Sequence, residues 1–162
     1  MLGLVTIRMR VIVSASGPKV SCLVITETNL HLYLDSAGFQ KKSKSRFVKK
    51  FDFEDCQITV DLDKKRIEYP ESAGLVVHDR TTLNFHHNEN FVVLDCVIRL
   101  MEVGYPANRI ELEPRWQLGR HNSGGKADIL VRDNRGMSYL IVECRTPGQE
   151  FDKEWRILQS VG

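Results

Sequence analysis

Two acidic side chains in the stretch KADILVRDNRGMSYLIVECR (126–145) are spaced for joint chemistry, Asp128 near the start of one apolar run and Glu143 near the end of the next. Between the runs, Asp133-Asn134-Arg135-Gly136 has the composition of a chain reversal, so 127–132 and 139–144 are expected to pair as an antiparallel hairpin. With a loop over 134–137, Asp128 falls directly opposite Glu143, their Cβ atoms about 5 Å apart. A slip of one residue would put them on opposite faces. Two carboxylates held that close repel each other unless a cation joins them, and the chemistry they offer together is metal binding. Alternatively, each pairs with a nearby base, Arg145 or Lys126.

Three elements must hold these groups. On the second strand Tyr139, Ile141, Glu143 and Arg145 share one face, and Leu140, Val142 and Cys144 share the other. Both faces are largely apolar, as in a central strand covered on both sides, where an unpaired carboxylate is costly. Upstream, Val93, Cys96, Val97, Leu100 and Met101 mark an apolar stripe on a helix over 88–103. Asn88 is its expected N-cap, Gly104 its stop, and Asp95 and Arg99 an i, i+4 pair on the outer face. Glu89 lies in line with the stripe, four residues before Val93. It either complements the helix macrodipole or turns a third carboxylate toward the hairpin.

Composition sets the outer bounds. With 162 residues, 42% hydrophobic and 27% charged, the chain suits one soluble domain with at most a small appendage. No apolar run is long enough to span a membrane. Arg8 and Arg10 interrupt the apolar start, which reads as structure and not as a targeting signal. Cys22, Cys56, Cys96 and Cys144 are too scattered for a zinc or disulfide framework, so a cytoplasmic protein is expected. Cys144 faces the core, a poor position for a nucleophile. His86 and His87 can bind metal or act as a base, but sequence neighbours rarely point at one ion.

The net charge of +2 is unevenly spread. The segment 41–50, with six Lys or Arg and with Phe39, Phe47 and Phe51 around it, reads as a solvated hairpin loop or a phosphate-contacting patch. Arg109, Arg115, Arg120, His121 and Lys126, beside the carboxylates, form the stronger candidate surface for DNA.

The pattern changes near residue 70. Short strand-like runs at 4–13, 20–26, 30–34, 47–53, 57–62 and 66–69 predict a β-rich region over 1–70, with a junction at 69–74. In 71–162 the order is helix, a strand at 110–116 with Glu111 and Glu113 on one face, a glycine-rich mobile loop at 117–125, the hairpin, and a helix at 149–161 carrying Phe151, Trp155 and Leu158. The fold class is α+β or α/β.

Asp128, then Glu143-Cys144-Arg145 on the next strand, with Glu89 on the preceding helix, resembles the active site of the PD-(D/E)XK nuclease superfamily. NENFVVLDCVIRLMEVGY, IELEPRWQLGR, GGKADILV and YLIVECRTPGQEFDKEW are similar to the amino-terminal nuclease domain of type I restriction-modification enzymes, of the restriction-subunit or fused endonuclease-methylase kind. The resemblance covers about 65–162 and not the first sixty residues. It implies a restriction-endonuclease-like core, a mixed β-sheet flanked by helices. It also implies a DNA endonuclease whose Mg²⁺ is held by Asp128, Glu143 and the backbone carbonyl of Cys144, with Glu89 acting through a water or second ion. Arg115, Arg120, His121 and Lys126 would contact double-stranded DNA. Arg145 replaces the family's lysine, and an arginine stays protonated. The alternative is a catalytically weak module that binds DNA or a partner subunit. Methyltransferase, specificity and translocase domains or subunits are the implied partners. ATP would act only through a motor for which this chain has neither room nor a GxxxxGK[ST] loop. The family usually continues into a helix with a Gln-x-x-x-Tyr element, so a detached or truncated nuclease module is expected.

Overall fold

A computed structural model describes residues 24–116 and 125–146. The strand expected at 4–13, most of the one at 20–26, most of the glycine loop and the helix at 149–161 lie outside the described residues, as do Arg120 and His121. Among the described residues the architecture is mixed α+β, with two α-helices and several sheets.

The run LHLYL at 30–34, expected as a strand, instead begins helix α1, Leu30–Ser36. Its alternation misleads because Leu32 points outward, 55% exposed, whereas Leu30, Tyr33 and Leu34 are buried at the i, i+3, i+4 spacing of a helix. Next, β1 (Gln40–Lys41), β2 (Arg46–Lys50), β3 (Gln57–Asp61) and β4 (Arg66–Glu68) build an antiparallel sheet in chain order. The basic segment is therefore a hairpin, with Lys41, Lys42 and Lys44 exposed around its loop.

After β5 (Val76–Val77) comes helix α2, Glu89–Glu102. It does not lie on a surface with one apolar stripe. Eleven of its residues are buried, so it runs through the interior. Asn88 makes no side-chain cap bond. The Asn90 amide fixes the helix start instead, donating to the carbonyls of Thr81 and Asn84 at 2.8 and 2.9 Å. Asp95 also departs from expectation. It is buried, accepting from the Tyr33 hydroxyl at 2.9 Å and from Arg99 Nε at 2.8 Å, because α1 covers that side of the helix. Gly104 stops the helix as expected, at a φ of +101° that favours glycine.

The remaining strands are β6 (Ile110–Leu112), β7 (Arg115–Trp116), β8 (Gly125–Lys126), β9 (Ile129–Arg132) and β10 (Ser138–Val142). A second sheet has the order β10-β9-β6-β5, parallel only at the β5–β6 pair, and β7 with β8 makes a two-stranded ribbon. The single strand expected over 110–116 is broken because Glu113 takes a φ of +55° before Pro114. Glu111 and Glu113 thus leave the regular alternation that would put them on one face. Gly125 admits no side chain, since the Trp116 indole lies where a Cβ would stand. Buried residues on both sides of residue 70, among them Leu34, Ile58, Ile67, Phe91, Ile110 and Ile129, belong to one core.

Candidate active site at the end of the hairpin

The hairpin turn is built by Asp133, whose Oδ1 accepts from the amides of Arg135 and Met137 at 2.8 and 2.9 Å. The reversal falls at 133–136 as its composition predicts, but the loop closes one residue shorter than the expected 134–137, and a bulge at Tyr139 restores the step. Leu140 then pairs with Val131, Ile141 with Leu130 and Val142 with Ile129. Continued by one residue, that register sets Asp128 across from Glu143. Both strands are shorter than expected at this end, because Asp128 replaces the next ladder bond with its side chain, Oδ2 accepting from the Cys144 amide at 2.5 Å. Its backbone carbonyl accepts from the Glu113 amide at 2.9 Å.

Arg145 stands in the middle of the group. Its Nη1 lies 3.2 Å from Glu89 Oε1 and 3.8 Å from Asp128 Oδ2, and its Nη2 lies 3.4 Å from Glu143 Oε2. Nη1 also donates to the Cys144 carbonyl at 3.0 Å. One guanidinium thus touches the three carboxylates and the carbonyl singled out from the sequence. The Arg145 side chain remains 46% exposed.

Charge crowding marks the site. Burial pushes the Asp128 carboxyl above its usual range, with Glu89 and Glu113 adding to the shift, and the Cys144 amide and Arg145 only partly offset it. Burial and then the Asp128 charge raise Glu143 in the same sense. Arg145 holds its proton more tightly than usual, because Glu89, Asp128 and Glu143 outweigh the opposing effect of burial.

Of the four expected DNA contacts, Arg115 and Lys126 face each other across the β7–β8 ribbon. Arg115 Nη2 bonds Asp79 at 2.9 Å, and Lys126 Nζ lies 2.5 Å from Oε2 of the buried Glu113. Glu113 is the site carboxylate that sequence reasoning did not bring in. Its only signal was a glutamate before proline where a strand had to end. Glu111 is held separately, bonded to Arg132 and, at 2.8 Å, to His78. His86 and His87 are exposed. Behind the site, Cys144 Sγ lies 3.7 Å from Cys96 Sγ, both thiols buried.

All the converging donors are oxygens, a set that suits a hard divalent cation. Among the described residues, however, no group of three or more His, Cys, Asp or Glu side chains is arranged to hold a metal ion. The oxygens are disposed around a guanidinium, and a metal would take them only with Arg145 turned aside. Among the described residues no helix is long and apolar enough to cross a membrane. No family model, curated protein or solved structure matches the chain.

Proposed function

We propose that the chain is a nuclease module of the PD-(D/E)XK kind, with a restriction-endonuclease-like core, that hydrolyses DNA phosphodiester bonds with Mg²⁺ in a type I-like restriction-modification system. The observation that carries this reading is the convergence of Glu89, Asp128, Glu143 and the Cys144 carbonyl on one cationic group. Around it four carboxylates, counting Glu113, face two cations, Arg145 and Lys126, which leaves two negative charges.

Asp128, Glu143 and the Cys144 carbonyl would hold Mg²⁺, with Glu89 behind a water; the bound ion would activate a water and stabilise charge on the phosphate. The chain's own groups do the rest. The Cys144 amide fixes the rotamer of Asp128. Arg145, half exposed, can swing outward and place its planar fork on a phosphate oxygen, although it cannot act as a base. Recognition and translocation would come from methyltransferase, specificity and translocase partners, and phosphate contacts alone would give little sequence preference.

The contacts of Arg145 also favour a second reading, in which the guanidinium stays in place and the module binds DNA or a partner subunit without cutting. Nicking of supercoiled plasmid with Mg²⁺ or Mn²⁺ separates the two. The first expects cutting by the unmodified chain and its loss in Asp128→Ala. Cutting only by Arg145→Lys would sink the first as stated, and cutting that survives Asp128→Ala would overturn the site assignment.

A further inference from the structure

Lys126 precedes Asp128 by two residues, and its ammonium is held 2.5 Å from Glu113, a carboxylate 6% exposed. Glu113 is near enough to Asp128 and Glu143 to raise both, so Lys126 sits at the edge of the same cluster. Its side chain is still 50% exposed. Glu113 has a left-handed φ of +55°, costly for a non-glycine residue, and backbone strain of this sort collects where geometry serves a site. A lysine ammonium has three donors, and the contact with Glu113 is an ion pair that engages one side of it.

We infer that Glu113 is a positioning residue that holds the Lys126 ammonium in place to contact a phosphate oxygen of duplex DNA beside the Glu89/Asp128/Glu143 cluster. This rests on the nuclease-like reading for its substrate class. It adds a contact to the one that Arg145 would make on swinging outward. Arg145 is shared among four oxygens of the protein, whereas among the described residues Lys126 pairs with Glu113 and keeps half of its side chain exposed.

The test is binding of a fluorescent duplex to the whole chain, read by anisotropy over a range of salt. Lys126→Gln should weaken binding about tenfold and lower the salt slope by about one, the signature of one lost phosphate contact. Lys126→Arg should keep the slope. Glu113→Gln removes a negative charge, so on electrostatics alone it should tighten binding to a polyanion. Positioning expects the reverse, a several-fold loss, with Glu113→Gln/Lys126→Gln no worse than Lys126→Gln alone. A slope unchanged in Lys126→Gln, or binding in Glu113→Gln as tight as in the unmodified chain, overturns the inference. If Glu113→Gln melts below the assay temperature, Glu113→Asp, which keeps the charge but shortens its reach to Lys126, is read in its place and should also weaken binding. Failure to nick plasmid would sink the nuclease reading and leave this contact standing, because anisotropy does not depend on cutting.

Discussion

Cys144 donates its amide to Asp128 at 2.5 Å across the open end of the hairpin, so a backbone group of one strand sets the rotamer of a carboxylate on the other. The bond only partly offsets burial and the nearby Glu89 and Glu113 charges, and the native state binds a proton at Asp128 more readily than the unfolded chain. The stabilisation linked to that proton is complete below about pH 3.8 and is lost as pH rises through the higher folded value. At neutral pH the Asp128 charge is therefore a liability to the fold. Asp128→Asn, which can still accept from Cys144, should raise the melting temperature by about 2–4 °C and flatten its acid dependence while nicking falls at least about a hundredfold. Thermal melts from pH 4 to 7 beside a nicking assay would check this, and a lower melting temperature at pH 7 would refute it.

Arg145→Ala leaves three carboxylates without their shared cation. These pairs are partly exposed and screened, so the loss in chelator should be only about 1 kcal/mol. The sharper result lies in the response to Mg²⁺. Without a competing guanidinium, the variant should be stabilised by about 2.7 kcal/mol at a hundred times its dissociation constant, and at lower Mg²⁺ than the unmodified chain needs. Melts across a MgCl₂ titration, with NaCl as the control for ionic strength, would show no difference if Arg145 does not compete for the site.

Tyr33→Phe removes the hydroxyl that α1 gives to the buried Asp95. The orphaned oxygen should cost about 1–3 kcal/mol in urea unfolding. Burial, and then Asp95, hold the Tyr33 phenol protonated far above the usual range. That stabilisation is complete below the unfolded value near 10.0 and is lost as pH rises beyond it, so the gap between the unmodified chain and the Tyr33→Phe variant should shrink in alkali.

Glu111 behaves in the opposite direction. Burial works against its charge, but Arg132 and His78 outweigh that and lower its carboxyl. Its stabilisation is present above pH 4.5 and lost as pH falls through the folded value. Glu111→Gln should cost about 1 kcal/mol at pH 7 and less at pH 4, measured by urea titration.

The hairpin was legible in the sequence because two short apolar runs flank a turn composition, and α2 because its apolar residues recur at a period of 3.6. Register followed from a loop placed over 134–137; the loop closes one residue shorter, and the bulge at Tyr139 brings the pairing back to the expected one. The surroundings of α2 were not legible, since an outer face that another helix covers looks in sequence like one that water covers. That is why Asp95 and Arg99 suggested a surface pair. Leu30 to Leu34 failed for a related reason, because LHLYL satisfies both periods over so short a span. Glu113 depended on a single left-handed backbone torsion, which composition does not encode for a non-glycine residue. The convergence on Arg145 depends on side-chain reach, which sequence spacing does not measure.

The shared core has a consequence for synthesis. Ile25 and Cys144 contribute to one buried cluster, and α2 is enclosed by groups from before and after it. A ribosome adding about 5–20 residues per second needs on the order of ten seconds to travel between those two residues. By the end of that interval the nascent chain carries Leu34, Ile58 and Phe91 without the hairpin residues that belong to the same core. The first half therefore waits, apolar and uncovered, for the hairpin that closes the site.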